Sequence, residues 1–199
     1  LAAQSTSELG KNHYESAILL AIESGRVTDT LESFAAIRAV LATSWHSTIM
    51  LYGHTGEVFQ AVWSQDENKI LTASGDGTAR IWNATTGKEL LKFEGHTDWV
   101  YRATWNQDES KILTFSADKT ARVWDSNTGK ELLKLTNVYL AVWSRDGHKI
   151  LTFKNQTVHI WDGVTGQELV KLTGHKDTVN LARWNRDESK ILTASDDRT

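Results

Sequence analysis

The sequence has no cysteine, no proline and a single methionine. Without cysteine there is no disulfide, no thiolate metal site and no cysteine nucleophile. A reducing, cytoplasmic compartment is the expected location. Excess positive charge is lacking too: 22 Lys and Arg stand against 25 Asp and Glu, for a net charge of −3. Splitting the chain at residue 52 leaves 3 basic against 5 acidic residues before it and 19 against 20 after it. Neither part hides a basic half, so no nucleic-acid and no membrane partner is expected, because both need a concentrated positive field. Apolar runs extend only a few residues, too short to cross a bilayer as a helix. The chain opens at Leu1 without a signal-peptide pattern and is expected to be part of something longer. What it has in plenty is tryptophan, nine in 199 residues.

The tryptophans are periodic. Trp63, Trp105, Trp143 and Trp184 each follow Ala-x, while Trp82, Trp124 and Trp161 each follow Ile or Val and precede Asn or Asp. Laid over Gly95–Thr136, the segment Gly53–Glu94 matches without a gap at 26 of 42 positions. A third unit, Asn137–Thr173, has 37 residues, and a fourth runs from Gly174 to Thr199. Such self-similarity is the signature of a repeat architecture. Each unit reads as four short strands, in the first as Val58–Trp63, Lys69–Ser74, Thr78–Trp82 and Glu89–Phe93. β-branched and aromatic residues fill the strands, and Asp-Gly or Thr-Gly supplies the positive-φ positions of the turns. Apolar neighbours such as Ile70-Leu71 imply strands covered on both faces, as when one sheet is packed between two others. Lys88, Glu89 and Lys92 mark the fourth strand as an exposed edge.

Gly-His at the start of the unit, Asp in the turn after the second strand and Ile-Trp-Asp closing the third resemble the WD-repeat β-propeller family over residues 47–199. The resemblance implies a mainly β fold of four-stranded blades, about 3.5 of them here, hence a partial propeller. Residues 48–52, shifted by the period of 42, fall on Leu90–Glu94, and 47–52 is expected to form a lone outer strand. Repeats are expected at 53–94, 95–136 and 137–173, with a truncated repeat at 174–199. Repeat three lacks Gly-His and has Asn155 in place of the turn Asp, which predicts a shorter leading loop and a weaker internal network.

Residues 1–46 read as an α-helical hairpin or linker. Asn12 with Glu15 forms a capping-box pattern, Gly25 is a stop, and Tyr14, Ile18, Ala21 and Ile22 repeat at helical spacing. Asp29 with Glu32 starts a second helix carrying Leu31, Phe34, Ala35, Ile37 and Leu41. The segment resembles the helical linker before propellers in bacterial NACHT-type (STAND) signalling proteins. A generic helical hairpin explains it equally well. No G-x-x-x-x-G-K-[ST] occurs, so no nucleotide site is read here.

His54, Ser74 and Asp76 could be mistaken for a hydrolase triad, but the set recurs as His96, Ser116, Asp118 and as His175, Ser195, Asp197. Three copies at one period suit a buried structural network better than one active site. The resemblance implies that this His, Ser and Asp join the third-strand Trp, Trp82 or Trp124, in that network. No catalytic residue, metal site or cofactor is expected. The family's partner-contact positions fall on Glu57, Phe59 and Gly75 in repeat one, Trp99, Tyr101 and Ala117 in repeat two, and Thr178, Asn180 and Asp196 in repeat four. Trp99 is the notable one, since Glu57 and Thr178 stand at the same position. It reads either as an interface anchor or as a residue packed locally on Phe59 or Tyr101. The expected function is a non-catalytic protein-interaction scaffold or sensor module, binding another protein or another domain of its own chain. An enzymatic or ligand-binding half-propeller and a structural spacer are the alternatives. Taken alone, the chain is expected to self-associate.

Overall fold

A computed structural model describes residues 49–199, so the helical reading of 1–46 lies outside the described residues. Four repeats of the hairpin pattern set the architecture. Blade one is β1 (Val58–Trp63), β2 (Lys69–Ser74), β3 (Ala79–Asn83) and β4 (Glu89–Phe93). Blade two is β5 (Val100–Trp105), β6 (Lys111–Ser116), β7 (Thr120–Asp125) and β8 (Glu131–Thr136). Blade three is β9 (Leu140–Trp143), β10 (Lys149–Lys154), β11 (Thr157–Asp162) and β12 (Glu168–Leu172). Blade four contributes β13 (Val179–Trp184) and β14 (Ile191–Ser195). Each sheet is an antiparallel meander in chain order. The turns after the inner strands close on themselves: Ser64 Oγ donates to Asp66 at 2.6 Å, and the Ser64 amide bonds the Lys69 carbonyl at 2.9 Å.

The cores lie between blades, not within them. One cluster joins Leu71, Ala73, Ile81 and Phe93 of blade one to Val100, Ala103, Ile112 and Trp124 of blade two. A second joins Leu113, Val123 and Leu135 to Val138, Ala141 and Ile150. The third joins Leu151, Phe153, Val158 and Ile160 to Val179 and Ala182. This is why the strands carry adjacent apolar residues: each face of a blade meets a neighbour. The same positions lie open where no described blade covers them. Val58 is 47% exposed and Trp63 60%, whereas Val100, at the position of Val58, is fully buried. Leu192 of β14 is exposed as well. Open apolar faces of this kind favour association, and the 199-residue chain by itself should sediment as a dimer or larger; a monomer would contradict that.

The outer strand expected at 47–52 does not form over 49–52. An outermost strand needs the third strand of its own blade as hydrogen-bond partner, and none is described there. Instead, Ile49 and Met50 pass close to the turn at Gly87, where a Cβ would sit within 3 Å of both.

Candidate functional site

The repeated polar residues form a directed chain. In blade two, Trp124 Nε1 donates to Thr114 Oγ1 at 2.8 Å, and Thr114 Oγ1 lies 2.7 Å from His96 Nε2. His96 Nδ1 is 2.9 Å from Asp118 Oδ2. An indole can only donate and a carboxylate can only accept. The direction is therefore fixed: Trp124 to Thr114, Thr114 to His96, His96 to Asp118, with the imidazole carrying its proton on Nδ1. Burial pushes the His96 pKa below its ordinary 6.5, against the opposing pull of Asp118, which keeps the ring neutral. Burial would raise the Asp118 pKa, but hydrogen bonds from Thr120, His96 and the Thr97 amide outweigh it and hold the carboxyl far below 3.8. Blade one repeats the chain through Trp82, Thr72, His54 and Asp76, at 2.8, 2.7 and 2.8 Å. In blade four, His175 stands between Thr193 and Asp197 at 2.8 and 3.0 Å.

Here the structure corrects the sequence reading. The hydroxyl between Trp and His belongs to Thr72 or Thr114, not to Ser74 or Ser116. Ser74 and Ser116 instead accept the amides of Asp76 and Asp118 at 3.1 Å, tying the turn. Ser195 does the same for Asp197 at 3.2 Å. No serine in these sets bonds its histidine, so the nucleophile–base contact of a hydrolase is missing. The sequence reading also passed over Arg80 and Arg122. Arg80 is buried over Trp82 and donates to Glu89 at 2.7 Å and Asp76 at 3.1 Å. Arg122 lies over Trp124 and pairs with Glu131. Both partners recur with the period, which was the available signal.

The rim candidates come together in the same way in three blades. The amides of Gly75, Ala117 and Asp196 donate to the carbonyls of Glu57, Trp99 and Thr178 at 2.7, 2.8 and 2.9 Å. Immediately beside each contact the inner strand carries a β-bulge, between Val58 and Gln60, Val100 and Arg102, and Val179 and Leu181. The extra residues are Phe59, Tyr101 and Asn180. A bulge takes a residue out of the ladder and re-aims its side chain. Phe59 packs on Trp99 and Tyr101 with ring centroids 5.7 and 5.5 Å apart, and Trp99 meets Tyr101 edge-on at 6.3 Å. The local packing of Trp99 is thus present, yet the residue stays 51% exposed. Asn180 donates to Asp196 at 2.5 Å, a polar version of the same rim.

Comparison with known proteins fits this geometry. The profile of the WD domain, G-beta repeat, matches residues 45–83, 87–125 and 166–199, together more than half of the chain. The chain belongs to the WD40 repeat family. Among curated relatives, cilia- and flagella-associated protein 57 of Mus musculus is 38% identical over 52 residues, 26% of this chain and 4% of that protein. The guanine nucleotide-binding protein subunit beta of Nicotiana tabacum is 42% identical over 40 residues, 20% of this chain and 11% of its own length. Its counterpart in Arabidopsis thaliana is 44% identical over 39 residues, covering 20% and 10%. The chain thus spans only a small part of the relatives it matches. WD40 membership indicates a protein-interaction scaffold module. Among the described residues there is no helix long and apolar enough to cross a membrane.

As a WD40 blade, repeat three is altered. Three residues link β8 to β9, against six between β4 and β5, and its inner strand has no bulge. Trp161 keeps its hydrogen bond to Thr152 at 2.7 Å, but no leading His or turn Asp continues the chain. His159, at the position of Arg80, stacks on Trp161 at 5.8 Å and contacts Thr157 at 2.8 Å. Asn155 takes a left-handed φ of 49° in the shortened turn.

Proposed function

We propose that this chain is a rigid, non-catalytic binding platform whose contact surface is the bulged rim around Phe59, Trp99 and Tyr101. The observation that carries the reading is the coincidence of the bulge with the exposed aromatic. At the same place in three blades the ladder gives up a residue, and in two of them that residue is aromatic. Trp99 is not required by the blade, because Glu57 and Thr178 occupy its position elsewhere. Large aromatics on a fixed scaffold are favoured anchors, since little side-chain entropy is lost on binding. The rim residues Glu57, Gly75, Ala117, Thr178, Asn180 and Asp196 complete the surface in this reading. The partner is another protein or another part of the same chain. The resemblance of residues 1–46 to the linkers of bacterial NACHT-type proteins supports a role within a larger cytoplasmic signalling protein, with any nucleotide chemistry carried upstream.

The test is Trp99→Ala in the full-length protein. Loss of a hot spot worth about 2 kcal/mol weakens partner capture roughly 30-fold. Unchanged capture would remove the rim from the account.

A further inference from the structure

At the opposite end of the inner strands from the aromatic rim, a second surface of different chemistry opens. A cavity of about 740 Å³ runs along the inner strands β5, β9 and β13 and opens between the turns that follow β9 and β13. Its wall carries Arg102, Arg145, Arg183 and Arg186, above an apolar floor that includes Val142 and Leu181. All four arginines are exposed, and among the described residues none forms an ion pair. This separates them from Arg80 and Arg122, which are buried and paired within their blades.

The blade does not require them. Arg145 and Arg186 stand where repeats one and two have Gln65 and Gln107. Arg102 stands where the other repeats have Gln60, Leu140 and Leu181, and Arg183 where they have Val62, Thr104 and Val142. The acidic residues of the turns after β5, β9 and β13 are already engaged. Asp108, Asp146 and Asp187 accept hydrogen bonds from the serine or histidine two residues on, within their own turns. Glu188, which also lines the cavity, accepts the backbone amide of Arg145. Four guanidiniums therefore share one concave site with a single carboxylate among them, on a chain whose net charge is −3.

We propose that this arginine-lined mouth binds an acidic peptide segment, with carboxylates on the guanidiniums and an apolar side chain on the floor. Each guanidinium offers a planar fork that matches a carboxylate in bidentate fashion. The four are spread over three adjacent blades, an arrangement that suits an extended chain bearing several carboxylates. A single compact anion would engage a convergent cluster instead. The volume fits a short stretch of side chains, and the apolar floor favours an amphipathic segment over a uniformly charged one. This site is independent of the aromatic rim and would give the scaffold two faces for two occupants.

The experiment uses the 199-residue chain and a fluorescein-labelled peptide of sequence EELEELEE, with QQLQQLQQ as the uncharged control. The acidic peptide should bind at least tenfold more tightly than the control, and binding should weaken steeply as salt rises. Arg145→Gln with Arg186→Gln should lower that affinity tenfold or more without changing Tm, since Gln is the residue repeats one and two carry there. Arg183→Val, which copies Val62 and Val142, should act in the same direction and guards against a folding defect in the double variant. Trp99→Ala should leave peptide binding unchanged, which keeps this result distinct from the rim. Equal binding of the two peptides, or full binding by both arginine variants, would overturn the proposal. Competition by inorganic tripolyphosphate at lower concentration than the peptide would overturn the choice of occupant.

Discussion

Replacing Asp118 by Ala should cost about 3 kcal/mol of stability, because a hydrogen bond to a charged group is worth roughly 1.5–3 kcal/mol and this carboxylate accepts several. The carboxylate is 7% exposed and faces a histidine side chain that is 1% exposed. It holds the Thr120 hydroxyl and amide at 2.7 and 2.8 Å, His96 Nδ1 at 2.9 Å and the Thr97 amide at 3.2 Å. Its removal also frees the relay behind it, because His96 then has no fixed tautomer to offer Thr114, and Trp124 loses an oriented acceptor. Asp118→Asn should cost less, as the amide oxygen can still accept from His96. The same network sets an acid response. His96 has its folded pKa depressed below 6.5, so its contribution is complete above that value and erodes as pH falls below it. Asp118, depressed below 3.8, gives a contribution that is complete above 3.8 and is lost at lower pH. Urea unfolding across this range should therefore show two stages of loss, and Asp118→Ala should lessen the second without abolishing it, since Asp66, Asp76 and Asp197 are held low in the same way.

Ile112→Ala is the second large effect, at about 2–5 kcal/mol. Ile112 is fully buried in the cluster that joins blades one and two. Ile70 occupies the same register in blade one, opposite Trp82 as Ile112 is opposite Trp124, and is only partly buried. Truncation there opens less of a cavity, so Ile70→Ala should cost clearly less than Ile112→Ala. Equal costs would mean that the core lies within each blade and not between blades. Denaturant midpoints at constant slope measure the difference.

The period, the four-strand meander and the strand bounds were legible because turn residues and tryptophans recur at fixed intervals. β1, β2 and β4 run over the residues expected of them, and β3 is displaced by a single residue. The hydroxyl of the polar chain was misread for a reason that lies in register. Thr72 and Ser74 recur with the same period, so spacing cannot separate them. Pairing of Trp82 with Ile70 puts Thr72 two residues along on the same face, within reach of the indole, and Ser74 four along, out of reach. Repeat three held a clue, because Trp161 keeps Thr152 although Lys154 replaces the serine. The bulges at Phe59, Tyr101 and Asn180 leave no mark in residue type: aromatic in two cases and amide in the third. They follow from how the turn at Gly75, Ala117 or Asp196 pulls on the inner strand, a three-dimensional constraint. The arginine-lined mouth was hidden for a related reason, since Arg102, Arg145, Arg183 and Arg186 lie on three repeats and meet only when the blades pack.

In the proposed division of labour, the polar chains hold the blades and the rim binds the partner. Partner capture and thermal unfolding, measured together on full-length Trp99→Ala/Tyr101→Ala and on Asp118→Ala, test it most directly. A crossed result is expected. The rim variant loses capture by roughly 30-fold or more at nearly unchanged Tm, while Asp118→Ala loses Tm and captures normally at temperatures where it is folded. A rim variant that melts early and still captures its partner would contradict it.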